Sequence, residues 1–192
     1  MILQAVLFTF FVGCGIIMVV KNLINIEFDK GVNMDYQNKL NEHLQIIVGK
    51  RLDDLHLACE LMSFAFEEYA FHALGLTRII HENNILVTTI DYLNWDGETD
   101  TNNDEWYFVE QFRNKIIGGT VISANVSPLH DVVIILDNGI RIETFVKNGY
   151  HHYDDECEQW IFFKVDDHSY PFIRVWNKTV DIASNWGRNT SC

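Results

Sequence analysis

The stretch from His130 to Val146, HDVVIILDNGIRIETFV, constrains the fold of this chain more than any other. Two apolar runs meet there at Asn138-Gly139. Asn-Gly between apolar runs is the strongest short-range signal of a two-residue hairpin, because a type I′ turn needs positive φ at both central positions. Such a turn pairs Asp137 with Ile140, Ile135 with Ile142 and Val133 with Thr144 on one face. The other face then pairs Leu136 with Arg141 and Ile134 with Glu143. The first strand is apolar on both sides and the second alternates, so the hairpin is expected to be central, with its first strand the more buried.

Around this hairpin the coarse pattern reads as follows. Leu40, Leu44 and Ile47 recur at helical spacing between Asp35 and Val48, which predicts a short amphipathic helix ended by Gly49. The segment from Lys50 to His56 is open between helix and strand. ACELMSFAF (58–66) and YAFHALGLTRII (69–80) read as two strands joined near Glu67-Glu68, with helix as the rival for the first. A turn at His81 to Asn84 leads to a strand over Ile85 to Ile90, and NWDGETDTNND (94–104) reads as a polar loop. An acidic start, aromatics at Trp106, Phe108 and Phe112 and a closing Gly118-Gly119 predict a helix from Asp104 to Ile117, capped by Asn103 or Asp104. The remainder reads as strand: 120–126, the hairpin, 158–165 and 170–177. The fold class expected is α+β, a curved, mainly antiparallel sheet or small sandwich with two covering helices.

Three regions follow along the chain: an apolar segment over residues 1–33, one α+β domain over 34–182 and a polar tail over 183–192. Ile2 to Val20 has about the length and apolarity of a bilayer-spanning helix, which implies an anchor in the inner membrane. It lacks the basic residues that precede a secretory signal's apolar core. The alternative is a start at Met34, since Lys30 to Asn33 can be encoded by a purine-rich ribosome-binding sequence just ahead of an ATG. Residues 1–33 then stay untranslated and no membrane is involved. The charge is the same either way, because Lys21 and Lys30 balance Glu27 and Asp29.

At 192 residues, 48% of them apolar and 13% aromatic, the chain can build one sizeable core and is not a disordered polymer. The net charge of -13 repels nucleic-acid phosphates and anionic lipid, and attracts basic proteins. Cys14, Cys59, Cys157 and Cys192 are far apart and show no ligand-like spacing, which supports neither a zinc site nor a disulfide framework and fits a reducing, cytoplasmic setting. Cys59, in an apolar run, reads as a small core residue.

Two clusters could carry chemistry. His151, His152, Asp154, Asp155, Glu156, Cys157 and Glu158 gather in one loop, and His151, His152 and Asp154 are its metal-ligand candidates. Adjacent strand residues point to opposite sides, so a solvated acidic loop is the better account. Asp96, Glu98, Asp100, Asn102 and Asp104 alternate as in a calcium loop, but the glycine falls at Gly97 rather than at the sixth position and no terminal Glu follows at the right distance. No serine stands in GxSxG and no Cys and His signature appears, so no catalytic residue and no cofactor is assigned. His56 and His72, in apolar alternating runs, read as core or rim histidines. Glu60 and Asp91 could form a carboxylate pair, though nothing in the order of residues brings them together.

The succession GKRLDDLHLACELMSFAF, YAFHALGLTRI, a strand ending at Asp91, then DVVIILDNGIRIETF and EQWIFF resembles a group of small, uncharacterised bacterial proteins. Some of these are similar to immunity proteins of bacterial toxin systems, and the resemblance implies a protein that binds and blocks a cognate, often basic, nuclease toxin. Aromatic anchors beside carboxylates suit such a ligand. The binding residues expected on this view are Asp96, Glu98, Asp100, Asp104, Asp154, Asp155 and Glu156, all on loops. A small enzyme or metal-dependent protein using the His151 to Glu158 cluster, and a membrane-tethered structural module, are the alternatives.

Overall fold

The computed structural model describes residues 36–94, 97–99, 101–148, 156–167 and 170–183. Helix α1 (residues 36–44) runs into a 3-10 turn at Gln45–Ile47. Its Leu40 and Leu44, with Ile47 beyond, form the buried stripe that the spacing predicts. Strands β1 (Leu52–Ala58), β2 (Leu61–Phe66) and β3 (Tyr69–Ala73) follow as a meander. The chain then crosses at Leu74-Gly75 into β4 (Leu76–His81) and β5 (Asn84–Thr88). A second 3-10 turn, Thr89–Leu93, and helix α2 (Asp104–Ile116) lead to β6 (Val121–Val126), β7 (Val132–Leu136) and β8 (Ile140–Phe145). Strands β9 (Glu158–Lys164), β10 (Phe172–Trp176) and β11 (Val180–Ala183) complete the order.

These strands form two antiparallel sheets, a six-stranded one ordered β1-β2-β3-β9-β10-β11 and a five-stranded one ordered β5-β4-β8-β7-β6. With two short helices against them, this is a sheet-dominated α+β fold with open, curved sheets. Alternation builds the core: β2 buries Met62, Phe64 and Phe66, while β7 buries Val132, Ile134 and Leu136. Trp160, Phe162 and the helical Val109 and Ile116 belong to the same apolar cluster. Trp160 donates its indole N–H to the His130 carbonyl at 2.8 Å, so this large buried side chain leaves no polar atom unmet.

The hairpin exists, but one residue out of the expected register. Ile134 pairs with Ile142 and Ile135 with Arg141, so Val132, Ile134 and Leu136 face the core in place of Val133 and Ile135. The reason is a three-residue loop, Asp137-Asn138-Gly139, closed by Gly139 N–H to the Leu136 carbonyl. Gly139 alone of the pair has positive φ, at +82°, which is the left-handed position of a bulged hairpin. Asn138 is used elsewhere: its amide donates to the carbonyl of Lys115 at 3.0 Å, capping the end of α2. The hairpin is central, and β7 has no exposed residue whereas β8 exposes Arg141. Val133 and Ile135 are half-buried, and β8 buries Ile140, Ile142, Glu143 and Thr144.

Other expectations are corrected in the same way. The run 69–80 is two strands in different sheets, broken at Gly75. Residues 89–90 leave the strand for the 3-10 turn, because Thr88 and Asp91 form a reciprocal capping box. Cys59 is exposed with φ +54° at the β1–β2 turn and is not a core residue. The ambiguous segment 50–56 is largely strand, and of the two caps the sequence offers for α2, Asn103 and Asp104, it is Asn103 that caps the helix.

Helix α1 covers the free edge of β6 with a ladder of amides. Asn41 accepts from Val126 N–H at 2.7 Å and donates to the Val126 carbonyl at 3.2 Å. Gln37 adds a bond to that carbonyl, and Gln45 donates to the Ala124 carbonyl. An unpaired strand edge invites pairing with other chains, and side-chain amides spaced four apart on a helix satisfy it instead. Asn41→Ala is therefore expected to cost about 1–2 kcal/mol, chiefly from the partly buried Val126 N–H left unmet, since its carbonyl keeps the bond from Gln37. Urea midpoints and the exchange rate of the Val126 amide measure it.

Candidate functional site

The β3–β4 crossover is held by a buried polar network. The Gln159 carbonyl accepts from both Leu74 N–H (2.9 Å) and Gly75 N–H (2.8 Å). The Gln159 side chain accepts from Lys147 N–H at 2.8 Å and donates to the Cys157 carbonyl at 2.9 Å. Beside it, the Thr77 hydroxyl donates to the Gly75 carbonyl and meets the Thr144 hydroxyl at 3.1 Å, while Thr89 Oγ1 accepts from Thr77 N–H. Polar groups in a core are stable when every one is bonded, and such networks fix a local geometry.

This frame supports an open cleft of about 340 Å³, lined by Glu60, Leu74, Gly75, Leu76, Thr89, Ile90, Leu93 and Lys147. Its walls are mainly aliphatic, and Glu60 and Lys147 are its charged residues. The outer rim is unusually apolar for a surface: Ile90 is 55% and Leu93 69% exposed. The Asp104 N–H bonds to the Asn94 carbonyl, which sets the start of α2 beside Leu93, and one turn on Tyr107 is 61% exposed.

Next to the cleft the fold brings together carboxyl groups that are far apart in the chain. Glu105, in the first turn of α2, is 0% exposed, and neither of its carboxyl oxygens has a hydrogen-bond partner. Its pKa is pushed up to about 8, chiefly by burial and in smaller part by the negative charges of Asp91 and Glu60. At neutral pH Glu105 is thus largely a neutral acid. Asp91 accepts from Thr88 N–H at 2.9 Å, and Glu60 stands exposed at the β1–β2 turn. Glu60 and Asp91, considered as a pair from the sequence, are joined by a third carboxyl that no local signal marked.

Of the binding residues expected from the sequence, Glu98 is exposed in the loop before α2, and Asp104 is half-buried as that helix's first residue. Glu156 precedes β9 on a different element and accepts from the Thr179 hydroxyl at 2.9 Å. Asp96, Asp100, Asp154 and Asp155, and the metal candidates His151, His152 and Asp154, lie outside the described residues. Among the described residues no group of three His, Cys, Asp or Glu could hold a metal ion. His72 is half-buried edge-on to Phe163, with its pKa lowered by burial, and His56 is exposed 3.1 Å from Asp54. Among the described residues no helix is long and apolar enough to cross a membrane; Ile2 to Val20 falls outside them.

No protein family, curated protein or solved structure matches the chain.

Proposed function

We propose that this chain is an acidic protein-binding module of the immunity type, acting in the cytoplasm, which holds and neutralises a basic toxin domain. The observation that carries this reading is the coincidence, around one cleft, of acidic side chains with exposed apolar ones. Glu60 lines the cleft together with the exposed Ile90 and Leu93, Asp91 stands on the same 3-10 turn, and the chain's net charge of -13 has the same sign. Long-range attraction of this kind speeds encounter, and apolar anchors at the centre of a contact slow dissociation.

The test is capture of partners from the source organism by the full chain, washed at moderate and then high salt. A single basic protein is expected, bound in stoichiometric amount at moderate salt. Its retention should fall when Glu98 and Asp104 are reversed to lysine, and further with Leu93→Asp. Absence of any stoichiometric partner across repeats contradicts the reading.

A further inference from the structure

We infer that the cleft between the β3–β4 crossover and the 3-10 turn Thr89–Leu93 takes a long cationic side chain of the basic partner, with Glu60 meeting its charged head. This rests on the binding reading above and narrows it to a chemical group and a place. At about 340 Å³ the cleft lies at the low end of ligand pockets, roughly 300–1,000 Å³, a size suited to one side chain rather than a large cofactor. Leu74, Leu76, Ile90 and Leu93 offer aliphatic walls, which match the methylene stem of arginine or lysine.

The charge at the cleft favours a cation over an anion. Glu60 on its wall carries no ion pair among the described residues. Asp91 stands on the 3-10 turn that forms part of the wall, and the buried Glu105, close enough to feel both carboxylates, is itself held as a neutral acid. Lys147 is the opposing charge, one cation against the carboxylates of Glu60 and Asp91, in a chain of net charge -13. The carboxyls do not converge tightly enough to hold a metal ion. An aliphatic cleft with one carboxylate on its wall suits a charge spread over a guanidinium or held on a methylene stem.

Titration of the isotopically labelled full chain with Nα-acetyl-arginine-N-methylamide, followed by NMR, tests this without the partner. Saturable shifts are expected at the amides of Gly75, Thr89 and Lys147. The neutral citrulline analogue should produce none of them. Glu60→Gln, at an exposed turn, should weaken binding about tenfold, the size of one charged hydrogen bond. Lys147→Gln should strengthen it. Equal shifts with the citrulline analogue, or shifts that never saturate, overturn the inference. So does binding that Lys147→Gln weakens and Glu60→Gln leaves alone, since the cleft then reads an anion. A partner captured equally by the wild-type chain and by Glu60→Gln also overturns the cleft assignment while the binding reading stands. Failure to capture any partner, with the arginine probe still bound, removes the binding reading alone.

Discussion

Glu105→Gln is expected to raise stability at pH 8 by a few kcal/mol and to leave it nearly unchanged at pH 4. The folded chain holds this carboxyl at a pKa of about 8, against an ordinary value of 4.5. Below pH 4.5 it is protonated in both states, and its contribution to stability is fully present. As pH rises towards 8 the unfolded chain releases the proton and the folded chain keeps it, so stability is progressively lost, at about 1.4 kcal/mol for each pH unit between the two values. Glutamine has the same shape and does not titrate, so the loss disappears. The difference in urea midpoint between wild type and variant, taken at pH 4, 6 and 8, isolates the effect from the histidines, which titrate in both. A difference that does not grow with pH contradicts a neutral carboxyl at this site.

Gly75→Ala should cost about 3 kcal/mol, at the upper end of what overpacking does. A Cβ at this position would sit 2.5 Å from the backbone carbonyl oxygen of Phe145 and 3.5 Å from that of Gln159. Backbone atoms on two strands cannot step aside as a side-chain tip can. Relief would require moving β8 from the crossover, which strains the paired Leu74 and Gly75 bonds to Gln159. Gly75 lacks a positive φ, so the requirement is for space and not for backbone conformation. The denaturation midpoint measures the loss. Because the crossover forms one wall of the cleft, the arginine probe should also bind more weakly to whatever folded fraction remains. A variant as stable as the wild type contradicts the close approach.

What could be read from the residues was mostly local. The α1 stripe of Leu40, Leu44 and Ile47, the Asn103 cap and the turn at Glu67-Glu68 depend on a few neighbours, and the structure has them. The hairpin register was not local. Asn138 could have supplied a positive φ, but its side chain bonds instead to the end of α2, a partner 23 residues away. Gly75 was hidden for a related reason. An apolar alternating run continues through it, and nothing in the run says that its halves join different sheets. Glu105 was invisible as a site residue because a glutamate in a helix's first turn ordinarily faces solvent and favours the helix dipole. Its burial follows from where α2 docks, against β5 and the 3-10 turn, which only long-range packing decides.

The order of the strands carries a consequence for how the chain reaches this state. Strands β3 and β9 are neighbours, with Phe71 opposite Phe162 and Ala73 opposite Trp160, yet every strand of the five-stranded sheet lies between them in the chain. The six-stranded sheet is therefore interrupted by its companion and cannot be completed until β9 has emerged. The hairpins β1–β2–β3 and β7–β8 close small loops and can form early, whereas the β3–β9 seam closes the longest loop and gains nothing until both edges are in place. Folding should end with this seam, and β3 should spend the interval as an open edge rich in aromatic residues.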